Sequence, residues 1–151
     1  MNTEVTVVST AEERVDAYQI RMRVFVREQG VPAGIELDEH DTMAAHFLGR
    51  VDGRPMGTVR LLAGGPGVGF LGRLAVLPEA RGTGLGGALV EAVEDLARER
   101  EITTIELHAQ VEARGFYERL GYEAYGEEDV SAGIPHIWMR KTVSRDETPV
   151  P

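Results

Sequence analysis

The chain contains no cysteine. Disulfides, thiolate metal sites and a cysteine acyl-enzyme are therefore excluded. No apolar run is long enough to cross a bilayer, and Met1-Asn2-Thr3-Glu4 lacks the basic-then-apolar pattern of a secretory signal. A cytoplasmic protein with no membrane partner is expected. Basic residues are also in short supply, 16 against 25 acidic ones, for a net charge of -9. A nucleic-acid binder presents a basic face, so DNA and RNA are not expected partners. An acidic surface favours a cationic acceptor and opposes an anionic one. It equally serves simply to keep a protein in solution.

At 151 residues the chain fits one domain with a real core, expected to span 1–151 with a frayed polar tail at 142–151. Val5–Ser9 is β-branched and reads as a first strand. Thr10-Ala11-Glu12-Glu13 has the form of a capping box and opens a helix running to Glu28 or Gln29, stopped by Gly30 and Pro32. Residues 30–43 form an acidic loop with room for a short helix. Two apolar runs, Ala45–Val51 and Met56–Leu62, flank Asp52-Gly53, a strong hairpin signal. Gly64-Gly65-Pro66-Gly67 turns into Val68–Leu77, a central strand in which Gly72 marks a bulge or a close backbone approach.

Residues 84–100 carry Leu85, Ala88, Leu89, Ala92, Val93, Leu96 and Ala97 at steps of three and four, one apolar helical stripe. Thr103–Ala109 is a strand. Ala113–Leu120 is a short helix ended by Gly121. Tyr122–Tyr125 and Ile134–Lys141 are the last strands. This order predicts an α+β fold, one mixed sheet with helices packed on it. There is no internal repeat and no linker.

The segment from Gly72 to Leu89 is strand, short loop, glycine-rich turn and helix. Glycines at a helix start leave backbone N–H groups unpaired and unobstructed at the positive end of the helix dipole, which suits an anion such as phosphate. A Walker loop requires Gly-Lys-Ser/Thr, and no such triplet occurs. Gly82-x-Gly84-x-x-Gly87 formally matches a dinucleotide fingerprint, with Glu106 near the expected ribose ligand. Against that reading, the glycines do not close the strand directly, Glu106 lies inside a strand, and too little chain remains for a doubly wound sheet.

Arg81-x-x-Gly84-x-Gly86, preceded by Leu74-Ala75-Val76 and followed by an amphipathic helix, resembles the acetyl-CoA signature of the GNAT superfamily. Phe116-Tyr117-Glu118-Arg119-Leu120-Gly121-Tyr122 resembles that family's second motif. Val24–Gln29 with Glu36-Leu37-Asp38, and Gly133-Ile134-Pro135-His136-Ile137, resemble its ElaA-like branch. The likeness covers about residues 14–141. It implies a GNAT acyl-CoA N-acyltransferase fold, a mixed sheet of six to seven strands with about four helices, and it allows a homodimer, since relatives are frequently dimers. It implies that the N–H groups of Arg81, Gly82, Thr83, Gly84, Leu85 and Gly86 hold the CoA diphosphate. The main chain of Leu74, Ala75 and Val76 pairs with the pantetheine amides, beside a bulge that parts this strand from residues 104–109. The Val76 amide points at the thioester carbonyl, and Tyr117 lies near the sulfur.

The resemblance thus implies an N-acetyltransferase that moves the acetyl group of acetyl-CoA, or another acyl-CoA, to a primary amine. Direct attack in a ternary complex fits the missing cysteine. Acetyl transfer needs a neutral amine, although a lysine-like amine has a pKa of about 10.4. It also needs a donor for the oxyanion and support for the leaving thiolate. Tyr117 is the candidate acid, with Phe116 competing for the core position on that helix. No glutamate stands in Phe70–Leu77 to act as base. His108 is the first choice, with Glu28, Glu36, Asp38 and His136 as alternatives for base or acceptor recognition. Gln110 and Glu112 stand where many GNAT sequences have asparagine. Glu36, Asp38, His40, Asp41 and His46 match no metal-site spacing, so no metal is expected. Ser9, Ser131 and Ser144 sit in no nucleophile elbow. The competing function is a regulatory module that binds acetyl-CoA without turnover.

Overall fold

Strict alternation sets the strands. In β5, Ile105, Leu107 and Ala109 are buried while Thr104, Glu106, His108 and Gln110 are half-exposed, the period-two pattern of a sheet with one covered face. A computed structural model describes residues 2–144. Its strands are β1 (Thr3–Val7), β2 (Ala45–Val51), β3 (Arg54–Ala63), β4 (Val68–Val76), β5 (Thr104–Gln110), β6 (Glu123–Ser131) and β7 (Ile134–Thr142). Its α-helices are α1 (Ala11–Arg21), α2 (Ala33–Glu36), α3 (Leu85–Glu99) and α4 (Arg114–Arg119). The strands form a seven-stranded mixed sheet in the order β1-β2-β3-β4-β5-β7-β6. β4 and β5 run parallel, whereas β1–β2, β2–β3, β5–β7 and β6–β7 run antiparallel.

The sequence expectations for these elements are met within a few residues, with four differences, the largest being β6, which runs to Ser131 where a strand ending at Tyr125 is expected. The first strand starts earlier, at Thr3. The first helix keeps its expected length, but after Arg21 it widens into a π-type turn over Met22–Glu28, where Gln29 N–H donates to the Val24 carbonyl at 3.1 Å. The expected tail begins too soon. Thr142 still belongs to β7, and Val143 is fully buried with its N–H donating to the Thr103 carbonyl at 2.8 Å. Residues 145–151 of that tail lie outside the described residues. The capping box is present. Thr10 Oγ1 accepts from Glu13 N at 3.1 Å, and Glu13 Oε1 accepts from Thr10 N at 3.1 Å.

Contacts divide the described chain into two units. The first runs to Leu62 and includes Leu71–Val93. The second holds Ala63–Phe70 and the chain from Glu94 onward. In the first, Ala17, Ile20 and Val24 pack with Leu48, Ala75 and Leu77. In the second, Ile105, Leu107, Ile137, Met139 and Val143 are buried on the covered faces of β5 and β7 and just beyond β7.

One close approach in the first unit positions the start of α3. Gly49 and Gly57 are register partners on β2 and β3. A Cβ on Gly49 would stand 2.8 Å from Leu85 Cδ1. A Cβ on Gly57 would stand 2.9 Å from Leu89 Cδ1 and 3.2 Å from the Ala75 carbonyl oxygen. The bare glycine pair thus receives Leu85 and Leu89, both essentially fully buried. Each such side chain contributes about 1.5–3 kcal/mol on burial. Gly57→Val should cost about 1–3 kcal/mol by overpacking. Urea unfolding measures this, and a variant as stable as the parent would show that α3 does not rest on this pair.

Candidate active site

The glycine-rich turn belongs to the first unit. After β4 the chain makes a short 3-10 turn (Pro78–Ala80) and reaches Leu85, the first residue of α3. Gly82 and Gly84 have φ of 83° and 86°, left-handed values that suit glycine. Nothing lies within 4 Å of a Cβ built on either one, so the space above the turn is open. Three of the six amides assigned to diphosphate are already engaged, at long distances. Arg81 N donates to the Pro78 carbonyl at 3.3 Å, Thr83 N to the Ala80 carbonyl at 3.4 Å, and Leu85 N to Thr83 Oγ1 at 3.3 Å. The amides of Gly82, Gly84 and Gly86 pair with nothing among the described residues; the first bond into α3 from the turn is Ala88 N to the Gly84 carbonyl at 3.1 Å. An unpaired donor row at a helix start is an anion site in the making.

Arg81 turns its side chain back. Its guanidinium is bidentate to Glu28, at 2.7 and 2.8 Å, and its Nε donates to the Val76 carbonyl at 3.1 Å. Within β4 the irregular residue is Arg73 and not Gly72. Arg73 has φ 55°, whereas a Cβ on Gly72 would meet only Arg60 Nε at an ordinary 3.6 Å. A left-handed residue inside a strand kinks it and strengthens its twist. The β4–β5 ladder joins Val68–Phe70 to Thr104–Glu106.

Arginines occupy the acidic loop. Arg21, 1% exposed, bonds Glu36 Oε1 at 2.8 Å and Asp41 at 2.8 and 3.1 Å. Arg60 bonds Asp38 at 2.7 and 3.0 Å and Asp41 at 2.8 Å. Arg73 reaches the Glu36 carbonyl and Asp38 Oδ2, each at 3.1 Å. Three guanidinium charges thus face the carboxylates of Glu36, Asp38 and Asp41. His46 Nε2 donates to the Asp41 carbonyl at 2.8 Å, and burial holds this imidazole below its ordinary pKa. These pairings also bear on the search for a base. The Arg60 bond holds the Asp38 carboxyl down at about 2, and the Arg81 bond lowers that of Glu28. Carboxylates so stabilised are weak proton acceptors, and Glu36 is enclosed with Arg21.

In the second unit Tyr117 lies on α4 and is the buried member of its pair, while Phe116 is half-exposed. Of the two competitors for the core position, Tyr117 takes it. The Tyr117 ring meets Phe116 and Tyr122 edge-on, at 5.1 and 6.0 Å between centroids. Burial raises its hydroxyl well above the ordinary value for tyrosine. Tyr122 donates to Glu94 Oε2 at 2.9 Å, and Glu94 also accepts from Lys141 at 3.1 Å.

His108 projects from the uncovered face of β5 between two rings of β7. His136 lies 4.6 Å away and Trp138 4.8 Å, both roughly parallel to it. Its Nε2 is 2.7 Å from Asp129 Oδ1 on β6. His136 Nδ1 donates to the Ile134 carbonyl at 2.7 Å. On the same face Tyr125 donates to Glu106, and the Arg140 guanidinium lies 4.6 Å above the Tyr125 ring. Asp129 was not singled out from the sequence. It lies 21 positions from His108, and only the irregular β6–β7 register brings it there.

A glycine turn with unpaired amides opens α3, and comparison with known proteins gives the class, an acyltransferase. The model of the acetyltransferase (GNAT) domain matches residues 6–143. The chain belongs to the GNAT acetyltransferase family. A Bacillus subtilis (strain 168) protein named as a candidate acetyltransferase is 39% identical over 89% of this chain and 92% of its own length. The crystal structure of an acyl-CoA N-acyltransferase from Pseudomonas aeruginosa is 32% identical, with a TM-score of 0.81 over 93% of this chain and 99% of that one. The crystal structure of Escherichia coli ElaA, at 23% identity, shares the fold with a TM-score of 0.83 over 93% of this chain and 99% of that one.

The arginine–carboxylate network sets acid stability. Asp38 is held at about 2 against an ordinary 3.8, so its contribution is complete above about pH 4 and is lost as pH falls towards 2. Asp41, lowered by Arg21 and Arg60 against the opposing effect of its burial, acts in the same sense. Arg60→Met should cost about 1.5–3 kcal/mol, because it removes charge-assisted bonds from Asp38 and Asp41 and leaves them only Arg73 and Arg21. Chemical unfolding at pH 7 and at pH 3 tests both points. A loss that did not shrink at the lower pH would contradict the assignment.

Proposed function

We propose that this GNAT protein transfers the acetyl group of acetyl-CoA to a primary amine of a small molecule or peptide, by direct attack in a ternary complex. The chain acts as one acyltransferase domain, in keeping with a family model that draws on residues of both units. The observation that carries the reading is the open glycine turn. The amides of Gly82, Gly84 and Gly86 receive the diphosphate, and Arg81, Thr83 and Leu85 shape the turn around them. The main chain of Leu74, Ala75 and Val76 pairs with pantetheine, and the Val76 N–H faces the thioester carbonyl. The left-handed Arg73 and the ladder that ends at Phe70 and Glu106 support this.

His108 is the base. It takes a proton from the ammonium, and the freed nitrogen lone pair attacks the carbonyl carbon. The C–N bond forms as the carbonyl electrons move to oxygen, where one N–H donor stabilises them by about 3 kcal/mol. Collapse breaks the C–S bond. The nitrogen loses its second proton, CoA leaves as the thiol, and one proton passes from His108 to solvent. Tyr117 donates a hydrogen bond to the departing sulfur. A thiol titrates at about 8.5, so complete transfer from a hydroxyl raised far above that value runs uphill.

Gly84→Glu should abolish CoA binding in titration calorimetry while leaving the unfolding midpoint within a few degrees. A side chain and a negative charge would then occupy the turn. Normal CoA affinity would contradict the placement. Tyr117→Phe should lower kcat by about tenfold or more with little change in CoA affinity. Thiol release from a panel of polyamine, lysine and amino-sugar acceptors reads this, and unchanged turnover would remove Tyr117 from the sulfur.

A further inference from the structure

The β6–β7 hairpin is uneven. Tyr125 pairs with Trp138 and Asp129 with His136. Gly126, Glu127 and Glu128 therefore stand opposite Ile137 alone, two residues more than a regular ladder holds. Gly126, at φ 76°, lets the strand turn there. In a regular ladder Glu127 would face His136; the insertion puts Asp129 in its place. From this position its carboxylate reaches past β7 to His108 Nε2, at 2.7 Å. The imidazole is held in plane by His136 and Trp138 and in rotation by Asp129.

A carboxylate only accepts hydrogen bonds, so the neutral His108 must keep its proton on Nε2 and its lone pair on Nδ1. We propose that Asp129 is a positioning residue for acyl transfer, fixing the His108 tautomer so that Nδ1 is the atom that takes the proton from the incoming ammonium. This rests on the reading of His108 as the base. In the step the ammonium N–H bond breaks, the Nδ1–H bond forms, and Asp129 stays ionised opposite the imidazolium. The other ionisable groups on this face are His136 on β7, stacked on the same ring, Glu106 on β5, bonded to Tyr125 of β6, Arg140 on β7, over that tyrosine ring, and Glu123 on β6, the register partner of Arg140. Asp129 is the one that bonds His108 directly.

Asp129 is about half-exposed, so its replacement leaves the core intact. Long-range nitrogen NMR of the full chain, labelled at histidine, reads the tautomer of His108 directly. The parent should show the Nε2–H form. Asp129→Ala and Asp129→Asn should mix the tautomers. With spermidine, lysine amide and glucosamine together as the acceptor probe, kcat should fall several-fold in both variants. CoA affinity should be unchanged. A merely structural role would lower kcat without mixing the tautomers. His108→Asn with full turnover overturns this inference and the base reading together. His108→Asn inactive, with the tautomer unmoved in both Asp129 variants, overturns this inference alone.

Discussion

The first unit depends on how closely α3 can approach β2 and β3. Side chains at positions 49 and 57 would push the helix away by the width of a methyl group, because Leu85 and Leu89 already stand within about 3 Å of where those carbons would be. Leu85 is also the first residue of α3. The contact that buries it therefore fixes where the helix begins. That in turn fixes the direction in which the amides of the glycine turn point. On the proposed reading, packing and anion binding share one residue, and neither can be changed independently of the other.

Charge is arranged to different ends in the two units. In the first, guanidinium groups pair with nearly every carboxylate of the 36–41 loop, which fastens that loop to β3 and β4 and leaves Asp38 and Asp41 poor bases. Burial of such pairs gives little net stability, since desolvation offsets attraction. Their effect is to hold one geometry, including Arg73 in its left-handed conformation. In the second unit the uncovered face of β5 carries an imidazole held by a single half-exposed carboxylate.

The glycine turn was legible because its signals are local: left-handed glycines, a helical stripe and a short spacing. The hairpin at Asp52-Gly53 was legible for the same reason, both residues having positive φ. What escaped was non-local. Nothing near Arg73 in sequence marks it as the left-handed residue, because the bonds that hold it come from residues 36 and 38. Tyr117 and Phe116 are equally apolar in pattern, and only the packed helix shows which is buried. Asp129 sits in a run of acids, Glu127-Glu128-Asp129, that reads as a solvated edge until the register shows which one meets a histidine.

On the proposed reading, the two hydroxyl and imidazole groups divide the proton traffic by environment. A tyrosine buried among aromatic rings cannot stay ionised, so it can polarise a leaving sulfur but cannot store the reaction's charge. An imidazole beside a carboxylate can store it, because the imidazolium is formed next to an opposite charge. The net proton of the reaction therefore has one exit, through His108, and the hydrogen bond at Tyr117 persists through every step. That division requires no cysteine nucleophile, in keeping with a chain that has none.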